Sequence, residues 1–494
     1  MNRQITRLAV FAVALIIALV VATTYWQTWA APSLADRQDN AIQRVAQFTV
    51  KRGRIFAADG TILARNRIKR VHDKTLYFRT YPEGRTFAHA VGYSTQVRSR
   101  AGLEQSLNDY LTASNSNLTT VLDRTLDRIK GGTIKGNDVH LTLSAKGQQV
   151  ARAALGTLCG SVVAIEPRTG RVLVLQSSPS YDPNLIEGRF NQATRAPAAQ
   201  CSTPAPLLNR ATDGLYTPGS TFKVITASAA IDTGAFSLSS TFSDPGYCEE
   251  YGKKVFNFSD QSGPESFGTL SLLTAIQDSV NSVFCNIGKQ LGALKILEYA
   301  RRFGFYSQPP VELPVDERKA SGLYKNGRLW LPRDPNAVDP GRLAFGQVEL
   351  QVTPIQMAMV AAAIANNGSV MKPYLVDRIV SPDGDPVVTP SPEQLGRAVK
   401  RSTADAVTQG MIAAVQAGTS TAAQIPGVTV AGKTGTAESG VSHVNTTSFI
   451  CFAPAENPRV AIAVFLEQQS GVGGTTAAPI AKQVMEALLA ERRN

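Results

Sequence analysis

The chain has 494 residues, 43% of them hydrophobic and 18% charged, which is enough apolar material to bury a large core in two or three domains and excludes a disordered chain. A formal charge of +12 suits nucleic acid, anionic lipid or an anionic wall polymer equally. Clustered Lys and Arg interleaved with aromatics, helix-turn-helix patterns and RNA-binding signatures are all missing from the sequence, which argues against a nucleic-acid partner.

The N-terminus locates the rest of the chain. From Leu8 to Ala35 there is no charged residue, and an apolar stretch over 8–30 is long enough to cross a bilayer. Arg3 and Arg7 in the 1–7 tail mark that end as cytoplasmic, Trp26 and Trp29 sit at the far interface, and everything after Asp36 is expected outside the membrane. A cleaved signal peptide ending near Thr28-Trp29-Ala30 is the alternative. The sequence contains five cysteines, Cys159, Cys201, Cys248, Cys285 and Cys451, and no Cys-x-x-Cys pair. A disulfide is compatible with an oxidising compartment, the pairing stays open, and one thiol must be left over. His72, His89, His140 and His443 lack metal-ligand spacing, so no metal site is expected.

Residues 51–66 read as a hairpin, with a strand at Arg54 to Ala57, an Asp59-Gly60 turn and a return from Thr61. A linker or hinge is expected near Lys135 to Asp138. Beyond it, Ser144 to Leu158 has helical periodicity, and Gly160–Glu166 and Arg171–Ser177 form a strand pair. Near the other end, Val428–Thr436, Thr447–Phe452 and Arg459–Glu467 are strand-like and a helix runs from Ala477 to Ala490. Strands at both ends with helices between them predict one α/β domain, a largely antiparallel sheet covered by helices.

Three short patterns carry chemistry. Pro218-Gly219 feeds an apolar helix that opens with Ser220, and Lys223 follows at i+3 on the same face, the spacing a serine nucleophile needs from a proton acceptor. Asp278-Ser279-Val280-Asn281-Ser282 interrupts a helical pattern with short polar side chains that favour a loop or helix junction, and offers Ser279-x-Asn281. Lys433-Thr434-Gly435-Thr436 ends a strand and forms an edge suited to an extended peptide and its carboxylate. The stretch GVTVAGKT also matches a phosphate loop, but its β-branched strand formers and extracytoplasmic position argue against a nucleotide.

Ser220-x-x-Lys223, Ser279-x-Asn281 and Lys433-Thr434-Gly435 in that order resemble the serine penicillin-recognising enzymes. LNRA at 208–211, PGSTFK at 218–223, the run AFGQVELQVTPIQMAMVAAAIANNG at 344–368 and GGTTAAPIA at 473–481 are similar to class B penicillin-binding proteins, and within them to an actinobacterial group. Earlier in the chain, the hairpin pattern around Arg52-Gly53 and Asp59-Gly60, TYPEGRTFAHAVGY at 80–93 and Gly102-Leu103-Glu104 resemble that family's noncatalytic domain. The resemblance implies a noncatalytic dimerisation or pedestal-type domain over 36–138 and a D,D-transpeptidase domain over 139–490, built on a five-stranded antiparallel sheet.

The same resemblance implies that Ser220 is acylated by stem peptides ending in D-Ala-D-Ala or by β-lactams, and that Lys223 takes its proton. Ser279 would relay a proton, Asn281 would orient Lys223 or substrate, and Lys433, Thr434 and Thr436 would hold the terminal carboxylate. Gly435 would permit close approach, and the Ser220 and Thr436 N–H groups would form an oxyanion hole. No cofactor is implied. A role in cell-wall synthesis, division or shape follows, with a membrane glycan polymerase and divisome proteins as partners. A D,D-carboxypeptidase, a serine β-lactamase and a noncatalytic scaffold are the competing readings; Glu187-Gly188-Arg189-Phe190-Asn191 resembles a β-lactamase deacylation motif but precedes Ser220.

Overall fold

The computed structural model describes residues 2–26, 48–71, 74–114, 134–195, 201, 203–258, 265–438 and 444–491. Helix α1, Asn2–Thr24, contains a 22-residue candidate span, Arg3–Thr24, whose most apolar 18 residues have mean hydropathy 2.7 and are not buried against the rest of the protein. At 1.5 Å per residue it is about 33 Å long, enough by length and composition to cross a bilayer. It starts earlier than the apolar run and takes in both arginines; Trp29 and the alternative cleavage site lie outside the described residues.

The expected N-terminal hairpin is present as β1, Ile55–Phe56, and β2, Ile62–Val71, followed by β3, Lys74–Thr80. A short helix α2, Gly102–Ser106, carries Glu104, which is fully buried between Arg52 and Arg79. Burial alone would raise its carboxyl, but the two guanidiniums outweigh that and hold it below the ordinary range. Arg52 also donates to Asn108 at 2.8 Å and Arg79 to the Gly53 carbonyl at 2.9 Å, so the Arg-Gly and Gly-Leu-Glu motifs are two halves of one ionic core.

Strand β4, Asp138–Leu141, joins the two expected regions in one sheet. It pairs in parallel with β1 and in antiparallel fashion with β9, Val376–Val380, which pairs in turn with β10, Pro386–Val388. The resulting six-stranded sheet, in order β10-β9-β4-β1-β2-β3, draws strands from both regions of the chain. The segment expected as a hinge is packed: a Cβ at Gly136 would lie 1.8 Å from the Leu111 carbonyl oxygen. A polar, glycine-bearing stretch has the composition of a linker, but its packing partners are remote in sequence.

The second sheet is five-stranded and antiparallel, in the order β11-β12-β13-β5-β6. Its first two strands in sequence, β5 (Gly160–Ile165) and β6 (Val172–Ser178), follow helix α3, Ala145–Leu155. The other three, β11 (Ala431–Glu438), β12 (Asn445–Ala453) and β13 (Val460–Gln469), precede the terminal helix α9, Gly473–Glu491. Alternate residues feed two cores. Val162, Phe449, Ile462 and Val464 pack with Leu155, Val484 and Leu488 of the terminal layer. Val163, Ile450, Ala463 and Phe465 join a larger core with the inserted helices, including α7, Pro354–Ala365. Burial on both faces explains why these strands read as continuous apolar runs.

The inserted helical part comprises α4 (Lys223–Asp232), the hairpin strands β7 (Tyr247–Glu250) and β8 (Lys253–Phe256), then α5 (Leu272–Gln277) and α6 (Asn281–Leu291) before α7, and α8 (Arg401–Ala417) after β10. Cys159 pairs with Cys201 and Cys248 with Cys285, while the Cys451 thiol is buried on β12.

Candidate active site

The site lies where three local structures meet. Gly219–Phe222 forms a 3₁₀ turn that runs directly into α4. With three residues per turn, Ser220 and Lys223 fall in line, so the tighter turn strengthens the i,i+3 alignment expected of an α-helix. The turn is fixed against the edge of the five-stranded sheet. The Pro218 carbonyl accepts from Thr221 Oγ1 at 2.9 Å and Ser448 Oγ at 3.2 Å, and Gly219 N donates to the Gly346 carbonyl at 3.1 Å. Gly219 has φ +55°, and a Cβ there would stand 2.7 Å from the Thr436 carbonyl oxygen. Gly435 is equally confined, its Cβ position lying 2.6 Å from the Pro218 carbonyl oxygen.

Lys223 is the hub. Its Nζ donates to the Ser279 carbonyl at 2.6 Å, to Ser279 Oγ at 3.2 Å and to Asn281 Oδ1 at 2.7 Å. Ser279 sits between α5 and α6 with φ 62°, a left-handed conformation that a serine adopts only at a cost of about 1 kcal/mol. That kink turns its carbonyl and hydroxyl to the same lysine. Asn281 opens α6 and donates through Nδ2 to the Phe256 carbonyl at 3.2 Å, tying the junction to β8. Thus the polar cluster forms the predicted helix junction, and its second and fourth residues meet the lysine from a different part of the chain.

Both lysines are buried, Lys223 at 1% exposure and Lys433 at 0%. Burial pushes the Lys223 ammonium well below its ordinary pKa, and the neighbouring Lys433 charge pushes it the same way. Lys433 itself is lowered to about 7 by burial, with Asp278 opposing the shift. Its Nζ donates to the Thr434 carbonyl at 3.2 Å. Thr434 Oγ1 shares a hydrogen bond of 2.9 Å with Thr419, and Thr436 Oγ1 accepts from Gly473 N at 3.2 Å. Ser220 is half-buried, and among the described residues its Oγ makes no hydrogen bond, including none to Lys223.

Every predicted site residue therefore belongs to one of these three structures: Ser220 and Lys223 on the turn and α4, Ser279 and Asn281 at the α5–α6 junction, and Lys433, Thr434, Gly435 and Thr436 on β11. Sequence reasoning assigned no part to Asp278, Thr419, Phe284 or Phe345. The centroids of the Phe284 and Phe345 rings lie 5.2 and 6.0 Å from Lys223 Nζ. Asp278 was adjacent to a recognised pattern, and Phe345 lies in the quoted AFGQ run; Thr419 carried no local signal.

A serine at a tight helix entrance, two buried lysines with depressed pKa values and the edge strand β11 define a site equipped for acyl transfer. Residues 160–486 match the penicillin binding protein transpeptidase domain, and residues 52–139 match the penicillin binding protein A dimerisation domain. The chain belongs to the penicillin-binding transpeptidase family and is a class B member of it. It is 36% identical to the peptidoglycan D,D-transpeptidase PbpA of Mycolicibacterium smegmatis, over 99% of this chain and 100% of that one. The Mycobacterium tuberculosis PbpA is 35% identical over 99% of each. A penicillin G acyl-enzyme complex of penicillin-binding protein A from M. tuberculosis superimposes with a TM-score of 0.74 at 33% identity, covering 89% of this chain and 100% of that one.

Proposed function

We propose that this protein is a peptidoglycan D,D-transpeptidase that cross-links stem peptides through an acyl-enzyme on Ser220. The observation that carries the assignment of roles is the buried Lys223 ammonium, biased toward the neutral form and joined to both Ser279 and Asn281. Ser220 Oγ attacks the carbonyl between the last two D-alanines, and its proton passes to neutral Lys223. The C–N bond breaks as Ser279, relaying a proton from Lys223, protonates the departing amine of D-alanine. An amine of a neighbouring stem then attacks the ester carbonyl, releasing Ser220 and re-forming the amide. The Ser220 and Thr436 N–H groups hold the oxyanion, an interaction whose loss typically costs about 3 kcal/mol per donor. Protonated Lys433 with Thr434 and Thr436 takes the substrate carboxylate, and a bound anion favours the charged form of Lys433. Asn281 holds Lys223 in register, and Gly435 keeps the strand edge open.

We take 36–138 as the noncatalytic domain and 139–490 as the catalytic one, with α1 as a single-pass anchor and the body outside the cytoplasm, where the stem peptides are. A membrane glycan polymerase and divisome proteins are the partners this placement calls for. β-Lactams enter the same site as mimics of the D-Ala-D-Ala amide.

Intact-mass measurement of the protein after benzylpenicillin treatment tests the reading. A lasting adduct of one drug mass in the wild type and none in Ser220→Ala is expected. Rapid loss of the adduct with drug hydrolysis identifies a β-lactamase instead, and no adduct in correctly folded wild type refutes the acylating serine.

A further inference from the structure

Outside the catalytic region, the outer half of β2 is a charged surface that the proposed mechanism does not use. From Arg65 to Val71 the strand leaves the core: Arg65, Arg67, Lys69 and Arg70 are exposed, Ile68 is 61% exposed, and only Asn66 is partly covered. In sequence, residues 65–74 hold five basic residues and a single acid, Asp73. Among the described residues Arg65, Arg67, Lys69 and Arg70 form no ion pair, whereas the neighbouring Arg52 and Arg79 share Glu104 and Arg54 pairs with Asp138. The contrast matters, because four cations on seven residues of strand, paired with no described carboxylate, repel one another and gain from a bound anion.

The chain itself indicates which anion is near. Phe48, the first described residue after the α1 segment, stacks on Phe78 of β3 at 5.4 Å, and its carbonyl accepts from Tyr77 N at 2.7 Å. The polypeptide leaving the anchor is therefore attached to the middle of this hairpin, at the β3 residues paired with Arg67 and Ile68. Only 21 residues, 27–47, separate Trp26 from that attachment, a reach of at most about 75 Å. This tether keeps the basic strand within reach of the bilayer that α1 is long and apolar enough to cross. Strand alternation puts Arg65, Arg67 and Lys69 on one face of this two-stranded ribbon and Ile68 with Arg70 on the other, so a ribbon entering end-on presents cations and an apolar side chain together to the boundary between phosphate headgroups and acyl chains.

We propose that the outer half of β2 is a second membrane contact, in which Arg65, Arg67, Lys69 and Arg70 bind anionic phospholipid headgroups and Ile68 enters the interface. The contact limits the orientations of the body relative to the anchor. It needs only the anchor and the hairpin, and is independent of the roles given to Ser220 and its neighbours.

The test uses full-length protein reconstituted into vesicles, with Ile68→Cys carrying an environment-sensitive fluorophore. In phosphatidylglycerol-containing vesicles the probe is expected to shift to the blue and to be quenched by brominated lipid. In pure phosphatidylcholine, or in 0.5 M salt, both signals should fall. Adding Arg67→Gln, Lys69→Gln and Arg70→Gln should weaken the contact roughly fivefold per charge removed, with benzylpenicillin acylation unchanged as the check on folding. Equal emission in anionic and neutral vesicles overturns the proposal. Shielding that persists in the Gln variant and grows with protein density overturns it too, and assigns the strand to contact with a second protein.

Discussion

Gly219→Ala is the sharpest perturbation of the acylation turn, because one methyl group tests both its strain and its registration. The φ of +55° costs an alanine about 1–2 kcal/mol. In addition the new Cβ would stand 2.7 Å from the Thr436 oxygen and 3.0 Å from its carbonyl carbon, both backbone atoms of β11. Ordinary contact requires about 0.5 Å of separation between the turn and the strand, which moves Ser220 relative to the Thr436 N–H; misplacement on this scale costs on the order of ten- to a hundredfold in rate. Gly234→Ala isolates the first effect, since Gly234 has φ +76° with nothing within 4 Å of its Cβ position. Stopped-flow acylation by a fluorescent penicillin, paired with thermal unfolding, should find both variants less stable and only Gly219→Ala slow to acylate. If Gly219→Ala acylates within twofold of wild type while remaining folded, the turn does not depend on its fit to β11 and the oxyanion geometry is wrong.

Glu104→Gln leaves Arg52 and Arg79 buried without a counter-charge and should destabilise by about 3–5 kcal/mol in denaturant unfolding, with acylation of the folded fraction unaltered. His89, buried with Nε2 2.9 Å from the Pro206 carbonyl oxygen, is lowered to about 4 by burial despite that hydrogen bond. Its unfolded form binds a proton first as pH falls, so the stability from neutral His89 is present above about 6.5 and is lost by about pH 4, up to ~3 kcal/mol. His89→Gln, which can still donate to Pro206, should flatten that part of the stability–pH curve; an unchanged slope would remove His89 as its source. Lys433→Met removes a charge that lowers Lys223, so the acid limb of the acylation–pH profile should move to higher pH, read from single-turnover rates.

Much of this site was legible because its chemistry is compressed into short patterns whose residue types are scarce in combination. Ser220 and Lys223 are separated by one turn, and Ser279 and Asn281 by one residue, so each pair is fixed by local backbone geometry. The meeting of the pairs was not local: Lys223 reaches Ser279 across 56 positions, and only the fold supplies that contact. Apolar runs disclosed the five strands of the catalytic sheet within a few residues, since both faces are buried. The role of β4 was hidden because four residues, Asp138-Val139-His140-Leu141, alternate like many loop-edge stretches, and their partners lie near positions 55 and 378. Asp278 and Thr419 act through space on lysine and threonine partners, which no periodicity reports.

Because β4 lies between strands from both regions, the boundary between the two parts of the protein runs along a hydrogen-bonded ladder. A catalytic fragment beginning at Asp138 would uncover the edge that β4 presents to β1, with Val139 and Leu141 no longer sheltered. Such an edge invites strand addition from a second molecule. Aggregation of that fragment would then report a severed sheet rather than a catalytic domain unable to fold.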